Sequence, residues 1–518
     1  MSHSLGSVDY AVLAAYFGTI IAISVVIALR QRSGAEFFLA GRSMRGGPLA
    51  LSIMANQASA VSLIGAPAFV ALQSNGGLRW LQYELALPIA MLLVIALLLP
   101  ALRSVSGASI YEFAERRFGR GTRRLLASIF LVSRGLATGV ILYAAALVVA
   151  PVLEVSIPVA ITITGLFSVG YCVLGGIVAD IWSDIVQLAV LWIGVIVSGG
   201  YILAHAGLRV VEAVPLDRTR TIVTDSLGLT DGNSFALLPM LAGGIILYMS
   251  YYACDQTQGQ RLLAAASARD AQSALLLTGL LRFPLVLTYC GFGLLLAGLL
   301  RVDPAFAARM AGLPADSLVP TFMIAYLPVG LRGLLLAAIL AAAMSSLDSA
   351  LNSLAAVTLE DIAGADSTLQ SAWLGRLMTL AWGVSAILSA IVFSRSASGI
   401  LVLITQLGSI FYGPVLAVFL LGAVTRGVDG RSASMAIVFG LAVNLAAARL
   451  ATGMSSLWWN VVGFLATGLV ALALSRGPRW AGSFSLPRKG SLLLGGAAVA
   501  MFFVVALLPP LIALVAAR

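Results

Sequence analysis

The chain has 518 residues, of which 60% are hydrophobic and only 10% are charged. This composition excludes an ordinary soluble globular protein, and repeated apolar runs of about 20 residues predict a polytopic helical membrane protein. Basic residues outnumber acidic ones by 31 to 21, which we attribute to membrane topology rather than to nucleic-acid binding. Two histidines and three cysteines argue against a histidine metal site and a disulfide framework.

The apolar runs divide into about fourteen spans, so the predicted fold class is an all-α polytopic membrane protein. The predicted spans are residues 10–29, 48–72, 80–102, 125–152, 158–177, 182–206, 236–260, 274–300, 321–358, 371–394, 397–423, 432–452, 456–475 and 490–516.

Positive charge collects in alternate loops. Arg42 follows the first span and Arg116 and Arg117 follow the third, whereas the loops between even- and odd-numbered spans, such as 73–79 and 151–157, are poorer in positive charge. Under the positive-inside rule the basic loops are cytoplasmic, and an even number of spans then places both termini outside. The loop 207–235 departs from this alternation, but it is long and also carries acidic residues.

Two spans contain polar interruptions. Small and polar residues crowd the middle of span two at 55–62, and span seven contains the run Cys254-Asp255-Gln256-Thr257-Gln258. These spans open two successive blocks of five, spans 2–6 and 7–11. Broken segments at matching positions in two halves predict the binding site of an inverted-repeat transporter, although the halves are not visibly alike in sequence. Unwound carbonyls there can bind a cation, and half-helix N-termini can hold an anion.

Span nine carries polar side chains at membrane depth. Ser345, Asp348, Ser349 and Asn352 fall on one stripe of a helix, because residues three and four apart share a face. A carboxylate there costs about 2.5–3.5 kcal/mol and should face a cavity or a partner. Serine and aspartate oxygens suit a small hard cation, so the stretch predicts a cation site. For Ser345 and Ser346, helix packing by small hydroxyl residues is an equal alternative, whereas Asp348 favours function.

Six stretches, taken in their order along the chain, resemble a single family. They are Phe37-Phe38-Leu39-Ala40-Gly41-Arg42; Ser62-Leu63-Ile64-Gly65-Ala66-Pro67-Ala68; Ser109-Ile110-Tyr111-Glu112-Phe113-Ala114-Glu115-Arg116-Arg117-Phe118-Gly119; Leu174-Gly175-Gly176 followed by Asp180-Ile181-Trp182-Ser183-Asp184; Asp255-Gln256 followed by Gln260-Arg261-Leu262-Leu263-Ala264; and Leu340-Ala341-Ala342-Ala343-Met344-Ser345-Ser346-Leu347-Asp348-Ser349-Ala350-Leu351-Asn352-Ser353. On these motifs the chain resembles the sodium:solute symporters, such as the sodium/glucose, sodium/proline and sodium/sialic acid symporters. The resemblance implies the five-plus-five inverted-repeat fold of the leucine transporter, with broken helices.

The resemblance implies two sodium sites. The main site maps onto backbone carbonyls of Ala55 and Ala58 in span two and of Ala342 in span nine, together with the hydroxyls of Ser345 and Ser346. A second sodium, bound by some members of the family, maps onto Asp184, Ser345, Asp348 and Ser349. Asp348 here replaces a hydroxyl residue of the family. For Asp184, an interfacial carboxylate paired with a loop arginine is the alternative interpretation.

The resemblance places the substrate beside the two breaks at the bilayer midplane. The expected substrate-binding residues are Gln57, Ser59, Ser62, Gln82, Glu84, Arg134, Asp255, Gln256 and Gln406. In sugar-transporting relatives a Tyr-Glu pair at the position of Glu84 contacts the sugar.

Arg134 lies too deep in span four to be a topological signal. Its guanidinium requires a carboxylate, which Glu84, Asp255 or an anionic substrate could supply. In sialic-acid-transporting relatives an arginine at about this position binds the substrate carboxylate. A structural pair with Glu84, or snorkelling to the inner surface, is the alternative.

The same comparison of spans divides the chain into five segments. Residues 1–47 form an extra N-terminal helix and a cytoplasmic loop, 48–206 the first five-helix repeat, 207–235 an extracellular loop, 236–430 the second repeat, and 431–518 peripheral C-terminal helices.

The expected function is sodium-coupled symport that imports a small polar organic solute by alternating access. A carboxylate or a sialic-acid-like anion is the expected substrate class, while neutral sugars, polyols and amino acids stay open. Proton coupling through Asp184 or Asp348 is the main alternative to sodium.

Two other functions are less consistent with the sequence. A transporter-like membrane sensor would need a signalling module, and none follows the last predicted span before Arg518. An enzyme is not expected, because the sequence has no HExxH motif, phosphate-binding glycine loop or Ser/His/Asp set. We expect a multi-pass protein of the plasma or inner membrane that contacts lipid, binds no nucleic acid and functions as a monomer.

Overall fold

The computed structural model describes residues 5–29, 34–230, 234–364, 372–395, 400–475, 477, 479–480 and 488–516. Within these residues the chain is almost entirely helical. The α-helices are α1 Ser7–Ala28, α2 Gly34–Leu39, α3 Gly46–Gln57, α4 Ala60–Ala71, α5 Leu81–Glu84, α6 Ala86–Leu93, α7 Leu99–Leu102, α8 Glu112–Phe118, α9 Arg120–Val152, α10 Ile157–Ala206, α11 Arg209–Glu212, α12 Leu216–Thr219, α13 Leu237–Cys254, α14 Gln256–Ala264, α15 Ala268–Val302, α16 Pro304–Met310, α17 Leu318–Tyr326, α18 Leu331–Val357, α19 Ala372–Phe393, α20 Ile400–Val424, α21 Gly430–Leu450, α22 Ser456–Leu474 and α23 Arg488–Ala516.

Short irregular elements complete this description. The 3₁₀ helices are Ala40–Arg42, Gly77–Trp80 and Ala315–Ser317, and the π-helical turns are Val94–Leu98 and Thr358–Ile362. Two short strands, β1 Thr425–Arg426 and β2 Arg479–Trp480, pair antiparallel.

Twelve helical segments in the described residues are long and apolar enough to cross a membrane, and the bent pair of α3 and α4 makes thirteen. The predicted number of fourteen spans is not confirmed. Predicted span five corresponds to Ile157–Gly170, which is apolar but too short to meet the same length.

Helix α18 lies at the centre of the bundle. Its most apolar stretch is 94% buried, against 11% for that of α23. It packs against α1, α3, α4, α9, α10 and α19. Small residues permit this close packing: a methyl group added to Gly194 of α10 would lie 2.6 Å from the Cβ of Ala338. The serine-bearing stretch of α18 is therefore surrounded by other helices and does not face lipid.

Both interrupted spans are broken where the sequence predicted. Helix α3 ends at Gln57 and α4 begins at Ala60, with an angle of 56° between the two helices. Helix α13 ends at Cys254 and α14 begins at Gln256. The Asp255 carboxylate accepts a hydrogen bond from the Thr257 N–H at 2.8 Å and so caps the second half of this span.

Predicted spans five and six are joined differently from the expectation. They form the single helix α10, with a kink at Gly176 where φ is 56° and ψ is −167°. This left-handed backbone favours glycine, and a Cβ there would also lie 2.7 Å from the Phe37 carbonyl oxygen. A kink at one residue, Gly176, therefore stands where a loop between spans five and six was expected.

Predicted span nine, residues 321–358, is divided in the structure. Its first part belongs to α17, and α18 begins only at Leu331. Pro328 has no backbone N–H, and Gly330 has a φ of 92° at the start of α18. These two residues separate the helices.

Asp9 of α1 is expected to stabilise the start of α18. Its carboxylate is fully buried and accepts hydrogen bonds from the N–H groups of Gly330 and Gly333, each at 2.7 Å. These donors lack helical acceptors at a helix N-terminus. We predict that Asp9→Ala lowers the free energy of unfolding by about 2 kcal/mol, measured as a lower thermal unfolding midpoint of the purified protein.

The control is Asp217→Ala, since the Asp217 side chain is 64% exposed and forms an ion pair with its neighbour Arg218. An unchanged unfolding midpoint in Asp9→Ala would show that this contact does not hold α1 and α18 together.

Candidate functional site

Four of the five predicted main-site residues meet at the end of α3. The Ser345 hydroxyl donates to the Ala55 carbonyl at 3.0 Å and lies 3.1 Å from the Ala342 carbonyl. The Ser346 hydroxyl donates to the Asn56 carbonyl at 2.6 Å and lies 3.4 Å from the Ala342 carbonyl. Both hydroxyls are buried. Five oxygen atoms therefore converge between α18 and the break in span two.

The fifth predicted residue, Ala58, lies within the break itself. It is 1% exposed, and its φ of −83° and ψ of 68° take the backbone out of the helix. The carbonyl contact that the sequence did not predict comes from Asn56. Carbonyl and hydroxyl oxygens suit a small hard cation, so the donor set fits a sodium ion.

A buried arginine contacts Ser349, one helical turn after Ser345. Arg261 of α14 forms ion pairs with Asp184 at 2.7 Å and with Asp180 at 3.0 Å. Its guanidinium also donates to the hydroxyls of Ser52, at 2.7 Å, and of Ser349. Asp184 is paired with an arginine, as in the alternative interpretation, but the pair is buried and the arginine belongs to a helix, so it is not the interfacial contact with a loop that this interpretation described.

The residues predicted to hold a second sodium do not all face one point. Asp184 and Ser349 contact Arg261, whereas Ser345 faces the break in span two. Asp348 lines a separate small cavity together with Asp180 and Asn352. A second sodium bound by the predicted set stays a prediction.

A polar cavity of about 160 Å³ lies directly beside the main-site oxygens. Ser346 lines it, so the cavity and the oxygens predicted to bind sodium share a wall. Five predicted substrate residues also line it: Gln57, Ser59, Ser62, Arg134 and Asp255.

Arg134 is paired with Asp255 and not with Glu84. The two charged groups are 3.7 Å apart, and the guanidinium also lies 3.5 Å from the Asn56 side-chain oxygen. Among the described residues, Arg134 Nε and Asn56 Nδ2 are buried donors without a hydrogen-bond acceptor. Both belong to residues in the cavity wall, so the cavity offers donors to an anion.

Glu84 is paired with an arginine that the sequence analysis missed. Arg282 of α15 donates to both Glu84 oxygens, at 3.1 and 3.4 Å, and Tyr248 donates to the same carboxylate at 2.8 Å. Arg282 lines the cavity, while Glu84 lies behind it and is fully buried. The sequence did contain a signal for this pair, because Arg282 is the one arginine inside the apolar run 274–300.

The remaining predicted substrate residues lie elsewhere. The Gln82 side chain forms two hydrogen bonds with the segment before α13. Its amide nitrogen donates to the Phe235 carbonyl at 2.6 Å, and its amide oxygen accepts from the Val223 N–H at 3.2 Å. The Gln256 side-chain nitrogen donates a hydrogen bond to the Ala108 carbonyl at 2.6 Å. Gln406 lines a neighbouring outer cavity of about 460 Å³. The structure does not bring these three glutamines to the polar cavity.

Aromatic side chains form much of the cavity wall and were not predicted as substrate contacts. They are Trp80, Tyr83, Tyr248, Tyr251 and Tyr412. Trp80 also lines the outer cavity, as do Leu401 and Thr405, so the two cavities are adjacent. The outer cavity borders Ser234 and Phe235, which precede α13.

A separate cluster of charged contacts is centred on Arg123. Arg123 pairs with Glu115 at 2.6 Å, with Glu360 at 3.2 Å and with Asp361. The Ser109 hydroxyl also donates to Asp361. These contacts join α8, α9 and the π-helical turn Thr358–Ile362 that follows α18.

A larger cavity of about 830 Å³ lies away from this site. Its walls are formed by α7, α20 and α22 and are almost entirely apolar, with Arg426 as the charged exception. It contains no predicted site residue.

The model of the sodium:solute symporter family matches residues 37–440. The chain belongs to this family. It is therefore a sodium-coupled symporter and not an enzyme, and sodium is its co-transported ion. The family also accounts for the many membrane-spanning helices.

Named relatives cover most of the chain. It is 30% identical over 473 residues to a putative sodium-dependent multivitamin transporter of Drosophila melanogaster, covering 86% of this chain and 74% of the relative. It is 26% identical to the sodium/sialic acid symporter NanT of Aliivibrio fischeri, covering 90% and 93%. It is 28% identical to human sodium-coupled monocarboxylate transporter 2, covering 84% and 71%.

A solved structure confirms the predicted fold. The substrate-bound outward-open state of a sodium-coupled sialic acid symporter superposes with a TM-score of 0.82 at 22% sequence identity, over 92% of this chain and all of the other. At this identity the match concerns the fold alone, and the predicted inverted-repeat architecture with broken helices is established.

Arg261 is predicted to be indispensable for folding. Its removal leaves two carboxylates, Asp180 and Asp184, buried with no cation beside them. Breaking a buried ion pair from one side costs about 3–5 kcal/mol. We expect Arg261→Met to lower the yield of monodisperse protein and its thermal unfolding midpoint, and Asp180→Asn with Asp184→Asn in the same chain to restore much of both.

Arg269→Met is the matched control, because Arg269 is an exposed arginine close by in sequence. If Arg261→Met were as stable as the control, the ion pairs would contribute little to the fold.

Proposed function

We propose that sodium binds to the oxygens of Ala55, Ala58, Ala342, Ser345 and Ser346, and that the adjacent cavity binds a small organic anion. The observation that carries this proposal is the position of Ser346. Its hydroxyl contacts the carbonyls of the span-two break, and its side chain lines the polar cavity beside Arg134. Sodium and substrate would therefore bind within contact of the same residues.

The charges around the cavity support an anionic substrate. Two arginines, Arg134 and Arg282, are matched by two carboxylates, Asp255 and Glu84. The site is therefore neutral on its own and gains one positive charge when sodium binds. A monovalent anion restores neutrality, so sodium and anion favour each other's binding in a medium of low dielectric constant.

The size of the cavity supports a small solute. A volume of about 160 Å³ is comparable with an apolar cavity of about 150 Å³ that accepts benzene. A short monocarboxylate fits this volume, whereas an acid as large as a sialic acid would extend into the outer cavity. The relatives named for monocarboxylates and for sialic acid support carboxylate transport in general. Neutral sugars, polyols and amino acids are the alternatives to be tested.

Alternating access follows from the closure on one side. In this state the cavity borders an outer chamber, and the Arg123 contacts with Glu115, Glu360 and Asp361 close the other side. Substrate and sodium would enter from outside, and separation of these contacts would open the inner side. The sodium gradient and membrane potential supply the driving force, about 2.3 kcal/mol per charge per 100 mV.

We place the protein in the plasma or inner membrane with both termini outside, because the basic loops alternate along the chain. The segments 48–206 and 236–430 are proposed as the two repeats, with the remainder peripheral. Contact with lipid, function as a monomer and the absence of a nucleic-acid partner complete the proposal.

The main sodium site is tested by Ser345→Ala combined with Ser346→Ala. Two of the five proposed ligands are lost, so the sodium concentration for half-maximal uptake should rise roughly tenfold or more, equivalent to about 1.4 kcal/mol. The measurement is uptake into proteoliposomes with an imposed sodium or proton gradient, for substrates found by a screen of carboxylates, sialic acids, sugars and amino acids.

Ser353→Ala is the control from the same helix, because Ser353 donates to Gln260 and not to the break in span two. Normal sodium activation in the double variant would remove the site assignment. Uptake that responds to a proton gradient alone would replace sodium with proton coupling in this chain.

Arg134 is predicted to bind the substrate carboxylate. Arg134→Met should reduce uptake roughly thirtyfold or more, because a buried charge-assisted contact contributes about 2 kcal/mol or more. The second variant, Arg134→Met with Asp255→Asn, removes both members of the ion pair. We expect it to stay equally inactive, since the donor to the substrate is still missing.

Arg301→Met serves as the control, because Arg301 is exposed at the end of α15. Recovery of uptake in the double variant would mean that Arg134 only neutralises Asp255. If wild type and Arg134→Met transported a neutral sugar at the same rate, the proposal that the substrate is an anion would be wrong.

A further inference from the structure

The larger cavity is an apolar groove on the outside of the helix bundle. Its volume is about 830 Å³, within the range of about 300–1,000 Å³ that holds drug-sized molecules in proteins. The residues of α7, α20 and α22 that line it do not line the polar cavity, so the two spaces are separate. Leu465 and Leu469 of α22 line the groove and are exposed, so the groove is open toward the lipid.

The groove has roughly the depth of one leaflet of the bilayer. Along α22 its lining runs from Phe464 to Leu472, which is about 12 Å at a rise of about 1.5 Å per residue. Along α20 the lining runs from Ala417 to Val424, the last residue of that helix. Half of a hydrocarbon core of about 30 Å is about 15 Å. The groove therefore extends from the ends of these spans toward the bilayer midplane, which is the depth that an acyl chain occupies.

Three arginines gather at the end of the groove where α20 ends. Arg426 lines the groove, and Arg479 lies opposite it in the pairing of β1 with β2. Arg117 of α8 donates to the carbonyl of Thr425, the residue before Arg426, at 3.0 Å. Burial and the charge of Arg426 lower the pKa of Arg117, so these two cations are close enough to repel each other.

Among the described residues, no carboxylate forms an ion pair with any of these three arginines. The two glutamates of α8 pair with other arginines, on α8 and α9. Asp429, three residues after Arg426, caps α21 by accepting a hydrogen bond from the Ser432 N–H at 2.7 Å. In the same described part of the chain, Arg117 Nε is a buried donor with no acceptor. The end of the groove therefore offers positive charge and a hydrogen-bond donor to an anion.

We propose that the groove binds an anionic phospholipid, with an acyl chain between α20 and α22 and the phosphate at Arg117, Arg426 and Arg479. The acyl chain alone selects no lipid, because moving it from the bilayer into the groove removes no apolar surface from water. Selection therefore depends on the headgroup. Guanidinium groups form paired hydrogen bonds with phosphate, and basic pockets between membrane helices bind anionic headgroups. The inference requires only that the chain spans a membrane, and it does not depend on the proposed sodium site or solute.

The test is native mass spectrometry of the purified, delipidated full-length chain. The chain is titrated with phosphatidylglycerol, or with phosphatidylcholine that carries the same acyl chains. We expect one phosphatidylglycerol per chain to bind roughly tenfold or more tightly than phosphatidylcholine, because each arginine near the headgroup contributes about 1 kcal/mol, and Arg426→Gln with Arg479→Gln to remove this difference. Arg449→Gln is the control, since Arg449 is an exposed arginine in the last turn of α21.

Gly468→Phe tests the apolar part of the groove. Gly468 lines the groove, and a Cβ added to it would meet no atom within 4 Å, so the ring enters the groove without a clash at Cβ. We expect phosphatidylglycerol to bind roughly tenfold or more weakly to this variant, with an unchanged thermal unfolding midpoint. Gly495→Phe is the matched control, because Gly495 of α23 lies outside the groove and also has open space around an added Cβ.

Equal binding of the two lipids by the wild type would overturn the proposal. So would an unchanged affinity for phosphatidylglycerol in either the double arginine variant or Gly468→Phe. If inorganic phosphate raised the unfolding midpoint of the wild type as much as phosphatidylglycerol does, the arginines would form an anion site without a lipid. A wild-type dimer that Gly468→Phe converts to a monomer would assign the groove to a second copy of the chain. Either of these two results would also overturn the proposal.

Discussion

The structure depends on how the break in span two is stabilised inside the membrane. Hydrocarbon offers no hydrogen-bond partner, so a carbonyl released from a helix at this depth must be satisfied by protein or by an ion. Ser345 and Ser346 of α18 supply the protein partner, with contacts to Ala55 and Asn56. The same oxygens can instead turn toward a cation. At the proposed sodium site, cation binding and the packing of α3 on α18 would be alternative uses of a single set of atoms, and an ion would then alter the position of a helix.

Three buried arginines form a second set of constraints. Each is matched to carboxylates from another helix: Arg134 to Asp255, Arg282 to Glu84, and Arg261 to Asp180 and Asp184. Buried ion pairs add little net stability compared with apolar packing, but the loss of one partner is costly. Their value is geometrical, because they fix how helices are placed relative to one another. The broken span seven is held on both sides in this way, through Asp255 at the break and Arg261 in α14.

The sequence predicted the fold and the main-site serines because both leave local signals. Apolar runs of membrane length, polar residues at 55–62 and 254–258, and hydroxyls inside span nine can be recognised without a structure. Pairings between distant residues leave no such signal. Arg134 could have paired with either of two carboxylates, Glu84 or Asp255. It pairs with Asp255 because Arg282, a residue far from Arg134 in the sequence, already pairs with Glu84. The positions of Gln82 and Gln256 were missed for the same reason, because loop contacts from elsewhere in the chain hold both amides.

Asn56 provides a physical route for coupling between ion and substrate. Its carbonyl accepts the Ser346 hydroxyl on the sodium side, while its side-chain oxygen accepts from Tyr251 at 3.0 Å and Gln258 at 2.9 Å and lies near Arg134. If sodium binds at the proposed site and shifts the Asn56 backbone, it moves an acceptor that lies near the Arg134 guanidinium. Because coupling between two ligands is reciprocal, a substrate that reorders these donors must alter sodium affinity to the same extent. In this proposal a single residue, one position before the end of α3, joins the two sites.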